Sequence, residues 1–152
     1  MARLILLDAG LLGLISAKNR TPEVLAFEGW MKAVTDGGAD LLIPDVTRYE
    51  VRRELLRIRA TAQLRNLDHF CASLGTAPVT PEALDRAGEF WAIVRQMGKP
   101  TSHPQALDAD AILAATASTI AQPGDEVVIA TTNVGHLGRF PGIDARVWRD
   151  IS

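Results

Sequence analysis

The sequence predicts an α/β domain in which helices cover both faces of a mainly parallel central sheet, and two observations support this fold class. Short, continuous apolar runs of the kind that form buried strands alternate along the chain with longer helical stretches. The 152 residues match one domain of ordinary size, and no repeat, low-complexity segment or linker interrupts them. We therefore expect a single three-layer α/β/α domain over residues 1–152.

The first half of the chain is predicted to contain two strands and three helical stretches. The strands are the apolar runs Arg3–Leu7 and Leu41–Ile43, and the glycines that follow the first run indicate a turn. Pro22 is a favourable first residue of a helix because it follows a threonine that is suited to capping. The helical stretches cover residues 22–35, 46–60 and 64–74, the last two separated by a short break.

The second half is predicted to add three strands and two helices. Ala77–Val79 is expected to be a brief edge strand, because its central proline has no N–H to donate to a neighbouring strand. Residues 97–104 are dense in residues that break regular structure, which indicates a loop. Helices are expected over residues 81–96 and 107–121, and strands over residues 126–132 and 145–149.

Composition and charge narrow the range of functions. The net charge of -2 and the pI near 5.9 argue against a protein that coats nucleic acid non-specifically. Thirteen of the sixteen basic residues are arginines, whose planar guanidinium suits phosphate and carboxylate contacts, although surface ion pairs explain the same bias. The longest apolar runs are far too short to span a bilayer, which predicts no membrane role. The lone Cys71 and the lack of a secretory signal lead us to expect a cytoplasmic protein.

Polar residues stand where predicted strands end or predicted helices begin. Asp8 closes the first strand, and Asn133 follows a later one. Glu50 and Asp110 lie near the starts of two predicted helices. In an open parallel sheet the carboxyl ends of the strands share one edge, so groups that are distant in sequence converge there. Converging carboxylates repel one another unless a cation lies between them, so the pattern predicts a divalent metal site.

Each of these positions also has a purely structural explanation. Thr47–Glu50 fits a capping box, in which the glutamate only satisfies a backbone donor. Asp8 and Asn133 are both suited to turns in which a side chain accepts from nearby backbone amides. Asp110 is the more informative acid, because only alanines follow it on its helical face, which lets the helix lie close to the sheet. Asp108 falls on nearly the opposite side and is expected to be the N-cap of the helix.

The order of these segments resembles the PIN-domain ribonucleases. The matching segments, which together span nearly the whole chain, are Leu6–Asp8, Tyr49–Val51, Asp110–Ala117 and Thr131–Asn133. Asp110–Ala117 has the pattern Asp-x-x-Leu-Ala-Ala-x-Ala and is the most specific of the four. The length of a single domain makes the chain most similar to the VapC-type toxins of toxin-antitoxin pairs.

The resemblance implies a PIN-like fold, cleavage of RNA that depends on Mg²⁺ or Mn²⁺, and homodimerisation. It also implies a cognate antitoxin that occupies the site, often by inserting an arginine or lysine among the acids. By position, Asp8, Glu50 and Asp110 match the first three acids of the family and are the expected catalytic residues, with Asp8 and Asp110 as metal ligands. Asn133 and Asp108 are expected to support them.

The chain departs from the family pattern at the usual fourth acid, where it has His136. This departure favours an alternative function, a PIN-fold module that binds RNA or protein through an incomplete metal site and does not cut. Arg48, Arg52 and Arg59 share their own face of the helix that bears Glu50. These arginines are suited to contact RNA phosphates, acidic side chains of an antitoxin, or only solvent.

Overall fold

Five parallel strands form the sheet at the centre of the protein. The computed structural model describes residues 1–98 and 104–152, with side chains described again from Leu107 onward. The strands are β1 (Arg3–Leu7), β2 (Asp40–Pro44), β3 (Gly75–Ala77), β4 (Glu126–Thr131) and β5 (Ala145–Val147). They are ordered β3-β2-β1-β4-β5, so β1 is central and pairs with β2 on one side and β4 on the other. Because every pair is parallel, all five strands end at the same edge.

Helices connect the strands. Those in the described residues are α1 (Ala9–Ser16), α2 (Pro22–Asp36), α3 (Asp45–Arg57), α4 (Thr61–Ser73), α5 (Pro81–Gln96), α6 (Pro104–Ile120) and α7 (Val134–Leu137). Thr21 and Thr80 cap α2 and α5, each accepting a hydrogen bond from a backbone N–H three residues later. No helix in the described part of the chain is long and apolar enough to cross a membrane.

The sheet separates two apolar cores, and β1 contributes to both because its side chains alternate. Ile5 and Leu7 belong to one core, with Phe27 from α2 and Leu67 from α4. Leu6 belongs to the other, where it packs with buried residues of α5 and α6. Each fully buried leucine of this kind contributes roughly 1.5–3 kcal/mol. The two cores confirm the predicted three layers, and the sheet is wholly parallel.

The predicted strands and helices are all present, and two further α-helices are not indicated by the sequence patterns. The last predicted strand, 145–149, ends at Val147, because Trp148–Asp150 forms a 3₁₀ helix in which Trp148 is buried. The first of the two further α-helices is α1, which occupies the segment where glycines indicated a turn. Leu11 and Leu12 of α1 are fully buried, and their burial contributes more than the roughly 1 kcal/mol that each glycine costs inside a helix. The second is α7, whose four residues are too few to show a helical period.

Several element boundaries differ from the prediction. The edge strand β3 ends at Ala77, before the proline that was expected inside it. Because α6 already begins at Pro104, Asp108 lies in its second turn, and the expected N-cap role of Asp108 is wrong. Thr47 lies inside α3 and donates its hydroxyl hydrogen to the carbonyl oxygen of Pro44 at 2.9 Å, so it forms no capping box with Glu50. Most of the predicted loop 97–104 lies outside the described residues.

The end of α3 has a left-handed residue that is not glycine. Arg59 has a φ of 58°, and the N–H of Ala60 donates to the carbonyl oxygen of Leu55 at 2.9 Å, which closes the helix end. A residue with a Cβ atom is strained in this conformation by roughly 1–2 kcal/mol, whereas glycine is not. Arg59 is exposed, so its side chain contributes little packing to offset this strain.

We predict that Arg59→Gly raises the free energy of unfolding by about 0.5–1 kcal/mol, because the relief of strain exceeds the added entropy of the unfolded chain. Denaturant unfolding of the whole chain measures this change. The matched control is Arg65→Gly, which places glycine at an exposed position inside α4 and should lower stability by about 1 kcal/mol. If both variants lose stability equally, Arg59 is not strained.

Candidate active site

Asp8 lies in the crevice between the ends of β1 and β4. Its N–H donates to the carbonyl oxygen of Ala130 at 3.0 Å. One carboxylate oxygen accepts from the N–H of Ala9 at 2.7 Å and so caps α1, and the other accepts from the hydroxyl of Thr131 at 2.7 Å. In the strand order of this sheet the connections reverse direction between β1 and β4, which is where open α/β sheets bind ligands. The Asp8 carboxylate is therefore fixed at the expected position of a site.

Glu50 reaches the same edge from α3. Burial is the largest cause that raises the pKa of Glu50 to about 7, followed by the negative charges of Asp8 and Asp110. The nearby Arg53 acts in the opposite direction and lowers this pKa. Glu50 thus lies close enough to both aspartates to be repelled by them. In the sequence, Glu50 is more than 40 residues from Asp8 and 60 residues from Asp110.

Asp110 brings the third carboxylate from α6. Ala114 and Ala117, which follow it on the same helical face, are buried in the second core. Their small side chains let α6 lie close to the sheet and hold Asp110 at its edge. Burial raises the pKa of Asp110 above its ordinary value, and the charge of Asp8 raises it further.

Two basic side chains face Asp110. His136 Nδ1 lies 3.6 Å from Asp110 Oδ2, and Arg139 Nη2 lies 3.8 Å from the same oxygen. Both side chains lower the pKa of Asp110, against the effect of burial. Arg139 Nε also donates to the carbonyl oxygen of His136 at 2.9 Å, and only 15% of the Arg139 side chain is exposed. The guanidinium is therefore held beside the acid.

The three carboxylates fit a hydrated divalent cation better than an ion enclosed by protein ligands. Carboxylate oxygens are the donors that Mg²⁺ and Mn²⁺ prefer, and a cation relieves the repulsion that raises the pKa of Glu50 and of Asp110. Within residues 1–98 and 104–152, however, no three acidic, histidine or cysteine side chains are close enough to hold an ion by themselves. Mg²⁺ commonly binds through one or two carboxylates and keeps several water ligands, which matches this arrangement.

The two residues expected to support the acids are placed differently. Asn133 caps α7, because its Oδ1 accepts from the N–H of Gly135 at 3.0 Å, as a turn residue does. Its own N–H donates to Thr131 Oγ1 at 3.1 Å, and that hydroxyl donates to Asp8, so Asn133 reaches the site through its backbone. Asp108 is exposed and lies about 200° around α6 from Asp110, away from the three acids.

The three arginines expected to contact RNA or an antitoxin do not lie beside the acids. Arg48 Nη2 is 3.5 Å from Asp68 Oδ1 of α4, and Arg52 donates to the same oxygen. These ion pairs join α3 to α4 on the side of α3 that is opposite Glu50. Arg59 is exposed at the end of α3. Contact of the three arginines with RNA or an antitoxin stays a prediction.

Two other arginines, to which the sequence patterns assigned no role, lie near the acids. Arg53 is one helical turn after Glu50, and its guanidinium carbon lies 5.1 Å from the centre of the Tyr49 ring. The i, i+3 spacing from Glu50 is a signal that points to Arg53. No local pattern indicates Arg139, because its approach to Asp110 depends on how the end of α7 packs against α6.

Arg53 lines two grooves that flank the carboxylates. One, with a volume of about 440 Å³, is lined by residues of α1, α3 and α4, including Gly10, Gly13, Glu50 and Glu54. A Cβ atom on Gly10 would lie 2.9 Å from Thr132 Oγ1, so glycine allows α1 to approach the end of β4 closely. The other groove, of about 450 Å³, is lined by residues of α3 and α6, including Tyr49 and Asp108.

The sequence itself matches no protein-family model, and comparison with curated proteins finds no match either. Solved structures, in contrast, are similar in fold over nearly the whole chain. VapBC2 from Rickettsia felis, bound to a DNA fragment from its promoter, has a TM-score of 0.72 at 13% identity, covering 95% of this chain and 98% of that chain.

Two further complexes show the same similarity. DNA-bound VapBC from Salmonella typhimurium has a TM-score of 0.66 at 20% identity, covering 97% of this chain and 99% of that chain. FitAcB from Neisseria gonorrhoeae has a TM-score of 0.61 at 17% identity, covering 97% and 99%. At these identities the comparisons establish the fold and not the activity. Together with the all-parallel sheet between helical layers, they show that this chain has the PIN-like fold.

Proposed function

We propose that this protein is a metal-dependent ribonuclease of the PIN-domain type and the toxin of a toxin-antitoxin pair. The observation that supports this most strongly is the convergence of Asp8, Glu50 and Asp110, from three separate elements, at the carboxyl edge of the sheet. Solved structures that share the fold include VapBC from two species and FitAcB, which supports a VapC-type toxin.

In this function Asp8 and Asp110 are the residues that would hold Mg²⁺ or Mn²⁺, with Glu50 beside them. A bound ion of this kind polarises a phosphate and lowers the pKa of an attacking water molecule. Thr131 and the N–H of Ala9 each bind one oxygen of Asp8, so the direction of this carboxylate is fixed before any ligand arrives. Preorganisation of this type reduces the reorganisation needed during the reaction.

The groove between α1, α3 and α4 supports the antitoxin part of the proposal. Glu50 and Glu54 line it, and Gly13 leaves space, because no atom lies within 4 Å of where its Cβ atom would be. An arginine or lysine of an antitoxin inserted there would pair with these carboxylates. It would compete with the metal ion for Glu50 and so inhibit cleavage. Homodimerisation, which the resemblance implies, belongs to the same proposal.

A second function, an RNA- or protein-binding PIN-like module without cleavage activity, is favoured by one observation. His136 takes the place of the usual fourth acid, and it faces Asp110 together with the cationic Arg139. Positive charge at this distance weakens the attraction of the site for a cation. Binding of Mn²⁺ to the folded protein therefore discriminates between the two functions.

We predict that Asp110→Asn reduces RNA cleavage by at least about 100-fold, because the amide keeps the shape of the side chain but loses the charge that holds the ion. Circular dichroism should show a native fold, since loss of this charge also removes repulsion. The matched control is Asp40→Asn at the exposed amino end of β2, which should retain full activity. A folded Asp110→Asn variant with full activity would remove Asp110 from the site.

We predict that the metal-free protein loses stability as pH rises from about 4.5 to about 7. The pKa of Glu50 is raised from 4.5 to about 7, so in this window the folded state keeps a proton that the unfolded state has released. Mn²⁺ or Mg²⁺ should restore stability at high pH, by about 2.7 kcal/mol at 100 times its Kd. Thermal unfolding with chelator and with metal, at pH values below and above this window, measures the effect.

Chelation should also abolish cleavage, and added Mn²⁺ or Mg²⁺ should restore it. Equal stabilisation by metal on both sides of the pH window would show that the ion does not bind at Glu50. Cleavage that survives exhaustive removal of metal would rule out the proposed chemistry.

For His136 we predict that water completes the coordination of the ion and that the imidazole is not a ligand. His136→Asp should then tighten binding of Mn²⁺, because it adds a carboxylate beside Asp110, whereas His136→Ala should change binding little. Calorimetric titration of both variants measures this. Loss of Mn²⁺ binding in His136→Ala would instead identify His136 as a ligand, with Mn²⁺ preferred over Mg²⁺.

A further inference from the structure

The groove of about 450 Å³ between α3 and α6 shares Arg53 with the groove that Glu50 lines. Two of its lining residues, Tyr49 and Ala109, directly precede Glu50 and Asp110 in the chain.

The apolar lining of this groove comes from Val46, Ala109 and Ile112. Among the described residues, its charged groups are the guanidinium of Arg53 and the carboxylate of Asp108. This part of the groove therefore combines apolar surface, an aromatic ring, a cation and an anion.

Tyr49 presents its ring at the surface of the molecule. Its side chain is 61% exposed and belongs to neither apolar core. The guanidinium of Arg53 lies over the ring at 5.1 Å from its centre. Aromatic rings and guanidinium planes are the groups on which unpaired bases stack, and a stacked base contributes about 1–3 kcal/mol. The flat surfaces in this groove therefore suit a nucleobase.

The carboxylate of Asp108 disfavours a phosphate at this end of the groove, because the two groups carry like charge. An ionised carboxylate only accepts hydrogen bonds, and its two oxygens suit a group with two parallel donors. Among the four bases of RNA, only guanine carries two adjacent donors, N1–H and N2–H, on its pairing edge.

We propose that this groove binds an unpaired guanine of the RNA substrate, stacked against the Tyr49–Arg53 pair with its pairing edge donating to Asp108. The inference rests on the proposed ribonuclease function, because Arg53 lines both this groove and the groove of Glu50, so that an RNA strand bound here would continue toward that acid. It also restricts the substrate to single-stranded RNA, since base pairing would occupy the edge that Asp108 contacts.

Binding of four labelled RNA pentamers, UUGUU, UUAUU, UUCUU and UUUUU, tests this inference by fluorescence anisotropy in chelator, where no cleavage occurs. The full chain should bind UUGUU about tenfold more tightly than the others. Asp108→Asn should remove this preference, because the amide offers one acceptor instead of two. The control Asp40→Asn should keep it.

A second pair of variants tests the stacking surface. Tyr49→Ala should weaken binding of UUGUU about tenfold, whereas Tyr49→Phe, which keeps the ring, should bind like the wild type. Both positions that are changed, Tyr49 and Asp108, are exposed, so the variants should fold normally. Circular dichroism checks that they do.

Equal affinity for the four pentamers, or a guanine preference that survives Asp108→Asn, would overturn the inference. Cleavage of the same pentamers with Mn²⁺ tests the proposed function separately from the guanine site. Metal-dependent cleavage without any guanine preference would overturn the guanine site and leave the ribonuclease function intact. Guanine-selective binding without cleavage would overturn the ribonuclease function and leave the guanine site intact. A dimer in sedimentation that Tyr49→Ala converts to a monomer, with no base preference, would assign the groove to a second copy of the chain instead.

Discussion

Repulsion among Asp8, Glu50 and Asp110 is the interaction around which the carboxyl edge of this protein is organised. The parallel sheet creates it, because β1 delivers Asp8 to the same edge at which α3 and α6 present the other two acids. Partial burial makes the repulsion costly, and together they raise the pKa of Glu50 to about 7. Groups whose pKa is perturbed in this way concentrate at functional sites. A cation that binds between the carboxylates would offset their repulsion.

The chain offsets the repulsion differently at each acid, and the differences suggest distinct roles. The Asp8 carboxylate is bound at both oxygens by a backbone amide and a hydroxyl, which fix its direction. Asp110 instead faces the basic side chains of His136 and Arg139. At Glu50 the nearby charge of Arg53 counters burial, yet the pKa is still raised to about 7. Glu50 therefore gains from a bound cation or from a basic residue of a partner.

The parts of the structure that follow from local rules were predictable from the sequence. An apolar run that ends in Asp8, and a helical face on which only alanines follow Asp110, led to the sheet, the layers and the convergence of the acids. The position of Asp8 at this edge required no knowledge of tertiary packing, because parallel strands end at a common edge, whereas Glu50 and Asp110 reach it through the packing of α3 and α6.

The parts that depend on packing between distant segments were missed. Burial of Leu11 and Leu12 overrides the glycines of α1, and this burial is visible only once the core is assembled. The early start of α6 moves Asp108 from an expected cap to the wall of a groove. Arg139 reaches Asp110 through the packing of α7 against α6, for which no spacing in the sequence provides a signal. These three cases concern the surroundings of the site more than the acids themselves.

A divalent cation that binds between the three acids would relieve their repulsion, as the proposed function requires. Calorimetric titration of Mn²⁺ into the whole chain, in two buffers of different ionisation enthalpy, measures whether such an ion binds. At about pH 6 Glu50 is mostly protonated, because its pKa is about 7, so a cation that binds beside it must displace this proton. We predict one ion per chain and the release of close to one proton. A folded protein that binds no Mn²⁺, or that binds it without releasing a proton, would show that no cation relieves the repulsion at Glu50.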